Sequence, residues 1–527
     1  MKGVVAAGHP LTAEAGADAL RKGGNAFDAA VSAVLTSFVS ESTLTGLGAG
    51  GFLLAHTSGG EDHLLDFFVE AGGRGLDPAS RGELVGIEVL FDAVPQLFNI
   101  GPASVGVPGT AAGLWEVAER FCSMPFGELA APAIRHAREG VRVTPEQAYL
   151  FTVLEPIVTH FPETRALYAP DGNLLTTGDL FYFADVANAL ERLASEGPSW
   201  LYEGEVAELV CEWVSERGGL LSTEDFRAYR VIERVPVRAT YCGREVLTNA
   251  PPSSGGVLIA YALALLERAG ALEARDDAVG LALLAEVMEE ANRAREGDFN
   301  HALHEDGFAD RFLSGPHIGE ALERVMARLG TGRRDAIAGG SDPLGSTTHI
   351  SVLDGEGNAA SVTCSNGTGS GVLVPCTGLH LNNMLGEEDL NPLGYHMHEP
   401  GTRVTSMMAP TIVLNGGEIE LSLGSAGSNR LRSAILQVIR YVVDHGYSVE
   451  EAVRAGRLHY EAGELHAEPG FPNESLDELE ARGYQVLRWR GLNLFFGGAQ
   501  ATRRDPETRE LSGAGDPRRG GAAVVVD

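Results

Sequence analysis

The pattern of apolar and polar positions divides the chain into a helix-rich first part and a strand-rich second part. Residues 12–39 are alanine-rich with helical spacing, and the Gly23-Gly24-Asn25 break predicts two helices there. Residues 349–353 and 359–363 are rich in β-forming side chains, with the turn sequence 354–357 between them. The pattern therefore predicts a β-hairpin near residue 350 and a mixed α and β protein.

The segment before this hairpin is a polar, glycine-bearing stretch. Residues 305–346 contain room for one helix, and their last dozen residues are typical of an exposed linker. This linker runs directly into Thr347-Thr348-His349 at the start of a strand. We place a functional boundary at 346/347, between a mostly helical region 1–346 that ends in the linker and a region 347–527.

Composition and charge exclude several classes of function. The 527 residues carry 40 Lys and Arg against 72 Asp and Glu, a formal charge of −32, which disfavours nucleic acid and anionic membranes as partners. No apolar run reaches 18 residues, and no secretory signal follows Met1, so we expect a cytoplasmic protein. The five scattered cysteines indicate reduced side chains without a disulfide framework.

Two motifs suggest ligand sites, but their sequence context argues against that interpretation. The sequence GLGAGG at 46–51 fits a dinucleotide fingerprint, but it precedes a strand instead of following one and opening a helix, so we interpret it as a tight turn. His396 and His398 form an HxH pair without a third ligand at a suitable spacing. We therefore predict neither a metal nor a cofactor.

Two other segments carry candidate chemistry. A strand ends near Leu423, and a glycine turn leads to a helix near Asn429, so backbone N–H groups there can bind a phosphate, stabilise an oxyanion, or simply connect the two elements. A threonine becomes a good nucleophile when it is the first residue of a chain, because its own α-amine then takes the proton. Cleavage before Thr347 would create that residue, although an ordinary hairpin also explains the two threonines.

The order of motifs along the chain resembles the γ-glutamyltranspeptidase family, a branch of the N-terminal-nucleophile (Ntn) hydrolases. The similar segments are GGNAFDAAVSA, GAGGFLL, NAPPSSGGVLIAYAL, TTHISVLDGEGNAASVT, LNNM, SMMAPTIVL, GSAGSNR and GAGDPRRGGAA. They span nearly the whole sequence.

The resemblance implies an α+β fold, an αββα sandwich built jointly by both halves of a precursor that cleaves itself between Ser346 and Thr347. By similarity Thr347 is the nucleophile, first in autocleavage and then in acyl transfer. Ser365 replaces a family threonine that hydrogen-bonds the nucleophile. Gly427 and Ser428 occupy the positions of the paired oxyanion-hole glycines. Asn366 lies near the family's substrate-contacting asparagine.

The substrate anchors of the family are only partly present. Phe68 stands where the family has an arginine for the α-carboxylate, and a phenyl ring cannot replace a bidentate contact. The family's Ser–Ser pair is Ser406 followed by Met407. For the α-amine, Met384 replaces Gln or Glu, and Glu387 stands at the position of an aspartate. We therefore do not expect glutathione to be the physiological substrate.

The sequence thus predicts a Thr-nucleophile enzyme that forms an acyl-enzyme from a small-molecule amide, γ-glutamyl or related, and passes the acyl group to water or an amine. An acylase or amidohydrolase acting on a different amide is the main alternative, and an unprocessed, non-catalytic binding protein is a second. Glu387 with its acidic neighbours Glu388 and Asp389 is a candidate amine site, and Arg403 a candidate carboxylate contact. The partners would be the protein's own cleaved subunits and, in a homo-oligomer, further copies.

Overall fold

The computed structural model describes residues 2–91, 94–270, 276–331 and 346–527. Its strands, in chain order, are β1 Gly3–Ala7, β2 Gly50–His56, β3 Asp62–Phe67, β4 Val85–Phe91, β5 Val94–Ile100, β6 Val141–Arg142, β7 Leu180–Phe181, β8 Ile232–Arg234, β9 Val237–Tyr241, β10 Arg244–Thr248, β11 Thr348–Asp354, β12 Ala359–Ser365, β13 Leu373–Val374, β14 Leu379–His380, β15 Thr411–Asn415, β16 Glu418–Ala426, β17 Leu458–Glu461, β18 Glu464–Ala467, β19 Gln485–Arg488, β20 Gly498–Arg504, β21 Leu511–Ala514 and β22 Ala522–Val526.

The helices, again in chain order, are α1 Pro10–Arg21, α2 Ala26–Ser40, α3 Thr110–Phe121, α4 Phe126–Glu139, α5 Pro145–Val153, α6 Glu155–Val158, α7 Pro162–Tyr168, α8 Ala184–Glu196, α9 Ser199–Tyr202, α10 Glu205–Ser215, α11 Thr223–Ala228, α12 Ser254–Ala269, α13 Ala278–Arg293, α14 Phe299–Ala302, α15 Phe308–Phe312, α16 Gly315–Thr331, α17 Arg430–Val443, α18 Val449–Arg454 and α19 Asn473–Ala481. None of the helices in the described ranges is both long enough and apolar enough to cross a bilayer.

Two antiparallel sheets form the centre of the protein. The first has seven strands in the order β22-β1-β11-β12-β2-β3-β8, and the second has six in the order β21-β20-β16-β15-β10-β9. Each sheet takes strands from both sides of the 346/347 boundary. The region 1–346, predicted as mostly helical, therefore also supplies six strands to the two sheets, β1, β2, β3, β8, β9 and β10.

The sheets stack face to face, with helices on both outer surfaces. Strands β11 and β12 contact β16 and β20 across the interface between the sheets. Helices α1 and α2 cover the seven-stranded sheet, and α12, α17 and α18 cover the six-stranded sheet. This is the predicted αββα sandwich, and the prediction that both halves build it is confirmed.

The interface between the sheets carries ordered polar contacts. The hydroxyl of Ser361 donates to the carbonyl of Leu423 at 2.9 Å, and that of Ser351 donates to the carbonyl of Gln500 at 3.1 Å. The His349 ring lies against Gly424, where an added Cβ would come within 2.3 Å of it. Burial lowers the pKa of His349 to about 3, so this imidazole is neutral and is unsuited to act as a base.

Local sequence signals place the elements near residue 347 correctly. Asn25 caps α2 with a capping box, after the break that separates this helix from α1. Strands β11 and β12 form the predicted hairpin, in which the Asp354 carboxylate accepts three backbone N–H groups of the turn. The predicted linker falls almost entirely on residues 332–345, which lie outside the described residues.

Candidate active site

The β11–β12 hairpin places Thr347 opposite Ser365. Thr348 pairs with Cys364, so the next position in the register sets Thr347 beside the last residue of β12. The Thr347 hydroxyl donates to the Ser365 hydroxyl at 3.3 Å, and both residues are buried. The pairing agrees with the contact that the sequence predicts for Ser365.

The Ser365 hydroxyl also lies on the peptide bond before Thr347. It donates to the carbonyl oxygen of Ser346 at 2.5 Å and accepts the backbone N–H of Gly367 at 2.9 Å. A chain of hydrogen bonds therefore leads from the Thr347 hydroxyl through Ser365 to the Ser346 carbonyl. Ser346, Thr347 and Ser365 are all buried, which strengthens these contacts.

The turn between β16 and α17 provides two backbone N–H groups near this centre. Gly427 and Ser428 have φ of +123° and +53°, and within the described part of the chain neither N–H donates to a protein acceptor. An added Cβ on Gly427 would lie 3.0 Å from the Cα of Gly497, so glycine is required there. The left-handed conformation of Ser428 is instead supported by its side chain, which donates to the Asp389 carboxylate at 2.7 Å.

An open pocket, which we call the Thr347 pocket, lies beside Thr347. Its walls combine six apolar side chains with a few polar groups around Thr347. They are Phe68, Thr347, Ser365, Gly367, Met384, Glu387, Asp389, Leu390, Ser406, Met407, Met408, Ser428 and Leu431. Five residues singled out by the sequence as altered or retained anchors thus meet in one pocket, namely Phe68, Met384, Glu387, Ser406 and Met407.

Carboxylates are the only charged groups in the wall of this pocket, taken over the described residues. Glu387 is buried and accepts hydrogen bonds from the N–H and the hydroxyl of Thr368 at 2.8 and 2.9 Å. Burial and the nearby Asp389 raise the pKa of Glu387 to about 7. Burial also raises the pKa of Asp389. The pocket is therefore suited to a cationic or neutral group and unsuited to a carboxylate.

Phe68 forms an apolar wall of the Thr347 pocket. The side chain is fully buried, and its ring stacks on Phe52 with centroids 5.3 Å apart. Its carbonyl accepts the Tyr229 hydroxyl at 2.8 Å, which fixes the backbone at this position. The phenyl ring therefore occupies a defined place, and no guanidinium substitutes for it in the described wall of the pocket.

Arg403, predicted as a carboxylate contact, does not line the pocket, and this expectation is corrected. The guanidinium is buried and forms ion pairs with Asp66 and Glu70 at 3.7 and 3.2 Å. It also donates to the Tyr229 hydroxyl at 2.7 Å and to the carbonyl of Phe68. The Arg403 guanidinium therefore stabilises the backbone at Phe68.

Asn366 is likewise outside the wall of the Thr347 pocket. Its side chain is fully buried near the Gly46 turn, where an added Cβ would lie 3.6 Å from Nδ2. Neither Oδ1 nor Nδ2 has a hydrogen-bond partner among the described residues. Glu388 is exposed and also lies away from the pocket.

Sequence reasoning missed a polar cluster around Thr348, the first residue of β11. The Thr348 hydroxyl donates to Glu41 at 2.7 Å, and Thr12 donates to the same carboxylate at 2.8 Å. Burial raises the pKa of Glu41. Glu41 lies at the end of α2, about three hundred residues before Thr348, and no local motif links the two. Over the described ranges, no group of three His, Cys, Asp or Glu side chains is arranged to hold a metal ion.

Comparisons with known proteins agree with this geometry. The family model for gamma-glutamyltranspeptidase matches residues 12–526. The glutathione hydrolase proenzyme of Escherichia coli strain K12 is 30% identical over 98% of this chain and 90% of its own length. The acylase ACY 1 proenzyme of Pseudomonas sp. strain SE83 is 31% identical over 100% of this chain and 94% of its own length.

A solved structure shows the same architecture. The crystal structure of cephalosporin acylase from Bacillus halodurans superposes with a TM-score of 0.82 at 26% identity, covering 99% of this chain and 95% of that one. The sequence motifs, the shared fold and the match of the family model over nearly the full length lead to one conclusion: this chain belongs to the gamma-glutamyltranspeptidase family.

Proposed function

We propose that this protein is a self-processing amide hydrolase or acyltransferase that uses the Thr347 hydroxyl as its nucleophile. The observation that carries the proposal is the hydrogen-bond chain from Thr347 through Ser365 to the Ser346 carbonyl. Beside it lie the N–H groups of Gly427 and Ser428, which have no protein acceptor among the described residues. The proenzyme names of two relatives also support it.

Maturation begins with attack of the Thr347 oxygen on the Ser346 carbonyl carbon. The hydroxyl of Ser365 already donates to that carbonyl oxygen and stabilises the negative charge that develops on it. The C–N bond then breaks, the hydroxyl proton passes to the departing nitrogen, and an ester joins Ser346 to the Thr347 oxygen. Water hydrolyses the ester, which leaves a carboxylate on Ser346 and a new α-amine on Thr347.

The same oxygen then attacks the amide substrate. The α-amine of Thr347, with an ordinary pKa of about 8, accepts the hydroxyl proton and passes it to the leaving amine. The N–H groups of Gly427 and Ser428 donate to the oxyanion of the tetrahedral intermediate. The resulting acyl-enzyme ester is attacked by water or by an amine, which releases the acyl group and restores the hydroxyl.

The Thr347 pocket supports an acyl group with an apolar body and no carboxylate. Phe68, Met384 and Met407 supply apolar surface where the family's motif has polar anchors. Glu387 offers a buried acceptor for an amine. A carboxylate would meet Glu387 and Asp389, and no cation lines the described wall of the pocket, so this contact would be unfavourable.

A true γ-glutamyl transfer is the second candidate. It is favoured by Ser406, which is retained in the pocket, and by Glu387, which stands where an α-amine would bind. The two candidates differ in how the enzyme treats the α-carboxylate.

The first experiment measures the intact mass of the purified protein under denaturing conditions and sequences the N-termini. Two fragments, the smaller beginning Thr-Thr-His, are expected for the wild type, and a single uncut chain is expected for Thr347→Ala. A wild type that remains uncut on long incubation would contradict the proposal and favour the non-catalytic binding protein.

The second experiment compares four p-nitroanilides that share a short linear acyl chain. The pentanoyl compound carries neither charge, the 4-aminobutanoyl compound an amine, the glutaryl compound a carboxylate, and the γ-glutamyl compound both. The proposal expects the 4-aminobutanoyl compound to exceed γ-glutamyl in kcat/KM and glutaryl to be the poorest. A clear preference for γ-glutamyl would support the second candidate instead.

A further inference from the structure

The oxyanion turn, Gly427 and Ser428, has supporting contacts on both sides. On one side, the Asp389 carboxylate accepts the Ser428 hydroxyl at 2.7 Å. On the other side, the next residue, Asn429, is buried and accepts a hydrogen bond from Arg295. Arg295 lies just after helix α13, 134 positions earlier in the chain, and therefore before the proposed cleavage site. A side chain of the first fragment thus reaches the oxyanion turn of the second.

Two hydrogen bonds join the end of α13 to the start of α17. Nη1 of Arg295 donates to Oδ1 of Asn429 at 3.0 Å, and Nη2 of Arg432 donates to Oδ1 of Asn292 at 3.0 Å. One bond is donated from the α13 side and the other from the α17 side. Helix α13 is itself packed against α12, α16 and α19, so it offers a firm support. These contacts therefore fix the position of Asn429, which directly follows Ser428.

Arg295 also supplies positive charge to Asp389. Among the described residues, no carboxylate lies within ion-pair distance of the Arg295 guanidinium, and its buried Nε has no hydrogen-bond partner. Arg430, whose charge also reaches Asp389, is already paired with Glu461 at 3.2 Å. Burial raises the pKa of Asp389, and the attraction of Arg295 opposes that rise. Arg295 therefore favours the ionised carboxylate, which accepts the stronger hydrogen bond from Ser428.

We propose that Arg295 is a positioning residue for the oxyanion turn, acting through its hydrogen bond to Asn429 and through its charge on Asp389. This inference rests on the proposed function, in which the N–H of Ser428 donates to the oxyanion. Ser428 lies between the two groups that Arg295 influences, since its side chain bonds Asp389 and its backbone continues into Asn429. A donor that is fixed before the reaction stabilises the transition state without a cost of reorganisation.

The proposal separates the two reactions of Thr347. Self-cleavage uses the Ser365 hydroxyl, which donates to the Ser346 carbonyl, whereas amide hydrolysis uses the N–H groups of the oxyanion turn. Loss of Arg295 should therefore slow turnover by the mature enzyme and leave self-cleavage nearly unchanged. A purely structural role would weaken both reactions together.

The experiment compares the wild type with Arg295→Met in two assays, precursor loss on denaturing gels and steady-state hydrolysis of the pentanoyl anilide. We expect the rate of precursor loss to stay within about twofold of the wild type. We expect kcat to fall by about fivefold at pH 8, the effect of one ordinary hydrogen bond, with little change in KM. Arg295→Lys keeps the charge and should recover part of the loss.

The charge on Asp389 provides a second readout. Without Arg295 the pKa of Asp389 is higher, so this carboxylate becomes protonated at a higher pH than in the wild type. The ratio of the Arg295→Met kcat to the wild-type kcat should therefore fall as the pH is lowered from about 8 to about 5. Glu387 and Arg430, the other charged groups near Asp389, are present in both enzymes. In an Asp389→Asn background the ratio should not change with pH, and a fall of the same size there would contradict the role of the charge.

Arg293→Met serves as the matched control. Arg293 lies two residues before Arg295, is exposed, and pairs with Glu289 at 2.8 Å. An Arg295→Met enzyme with the wild-type kcat would overturn this inference alone, and so would a raised KM with unchanged kcat. Loss of self-cleavage in both Arg295→Met and Arg295→Gln would also overturn it. A wild type that neither cleaves itself nor hydrolyses an anilide would overturn the proposed function, and this inference with it.

Discussion

The hydrogen bond from Ser428 to Asp389 offers a direct test of how the oxyanion turn is held. Ser428 has φ of +53°, a conformation that costs a residue with a Cβ about 1 kcal/mol or more. The Asp389 carboxylate accepts the Ser428 hydroxyl at 2.7 Å and offsets that cost. Replacing Asp389 by Asn removes the charge but keeps the size, so the hydrogen bond weakens by about 1 kcal/mol.

We expect Asp389→Asn to lower kcat by about fivefold, since about 1.4 kcal/mol corresponds to a factor of ten in rate. The N–H of Ser428 stabilises charge that develops only in the transition state, so KM for the uncharged pentanoyl anilide should change little. The assay is steady-state hydrolysis by matured enzyme. Glu388→Gln is the control. Glu388 is exposed, and this substitution removes the same charge one residue earlier in the chain.

The decisive comparison places Asp389→Asn in a Ser428→Gly background. Glycine adopts positive φ without a side-chain anchor, so the effect of Asp389→Asn on kcat should disappear there, relative to Ser428→Gly alone. An equal loss in both backgrounds would refute the role assigned to the hydrogen bond. A rise in KM with unchanged kcat would instead identify Asp389 as a substrate contact.

Three further predictions concern the same region. Ser365→Ala should slow self-cleavage by at least about tenfold, measured as precursor loss on denaturing gels, whereas Ser365→Thr keeps the hydroxyl and should cleave at a similar rate. Because the pKa of Glu387 is raised to about 7, its carboxylate is protonated at pH 6 and ionised at pH 8, so kcat/KM for the 4-aminobutanoyl anilide relative to the pentanoyl anilide should rise across this range. Glu387→Gln should remove that rise; a rise that persists would refute the assignment. Arg403→Met removes one ion-pair partner from each of two buried carboxylates, Asp66 and Glu70, and should lower the Tm by several degrees in a thermal melt; an unchanged Tm would contradict its structural role.

The sequence predicts best what depends on neighbouring residues. The hairpin after Thr347, the capped start of α2 and the glycine turn before α17 are each encoded within a few positions, and the structure has them there. The meeting of Phe68, Met384 and Met407 beside Thr347 follows from the family's motif order, not from any local pattern.

The side chains whose roles the sequence does not predict are those whose partners are distant in sequence. The charge of Arg403 suggests a ligand only until Asp66 and Glu70, more than three hundred residues earlier, are seen to neutralise it. Arg519 shows the opposite case, in which a nearby acidic residue suggests an ion pair that does not form among the described residues. Asp516 lies three residues earlier, but Arg457 and Arg518 already pair with that carboxylate. The fold determines which charged side chains pair with each other, and the order of residues along the chain does not reveal it.

The order of the strands has a consequence for the lifetime of the processed protein. β1 is paired on one side with β11 and on the other with β22, so a strand of the first fragment is enclosed between two strands of the second. The uncut chain can refold after unfolding as a single molecule. Once cut, the two fragments must find each other again, and recovery becomes a second-order process that depends on protein concentration. The cleavage proposed at Thr347 would therefore make recovery slow at low protein concentration, where the working life of the enzyme is set by how slowly it first unfolds.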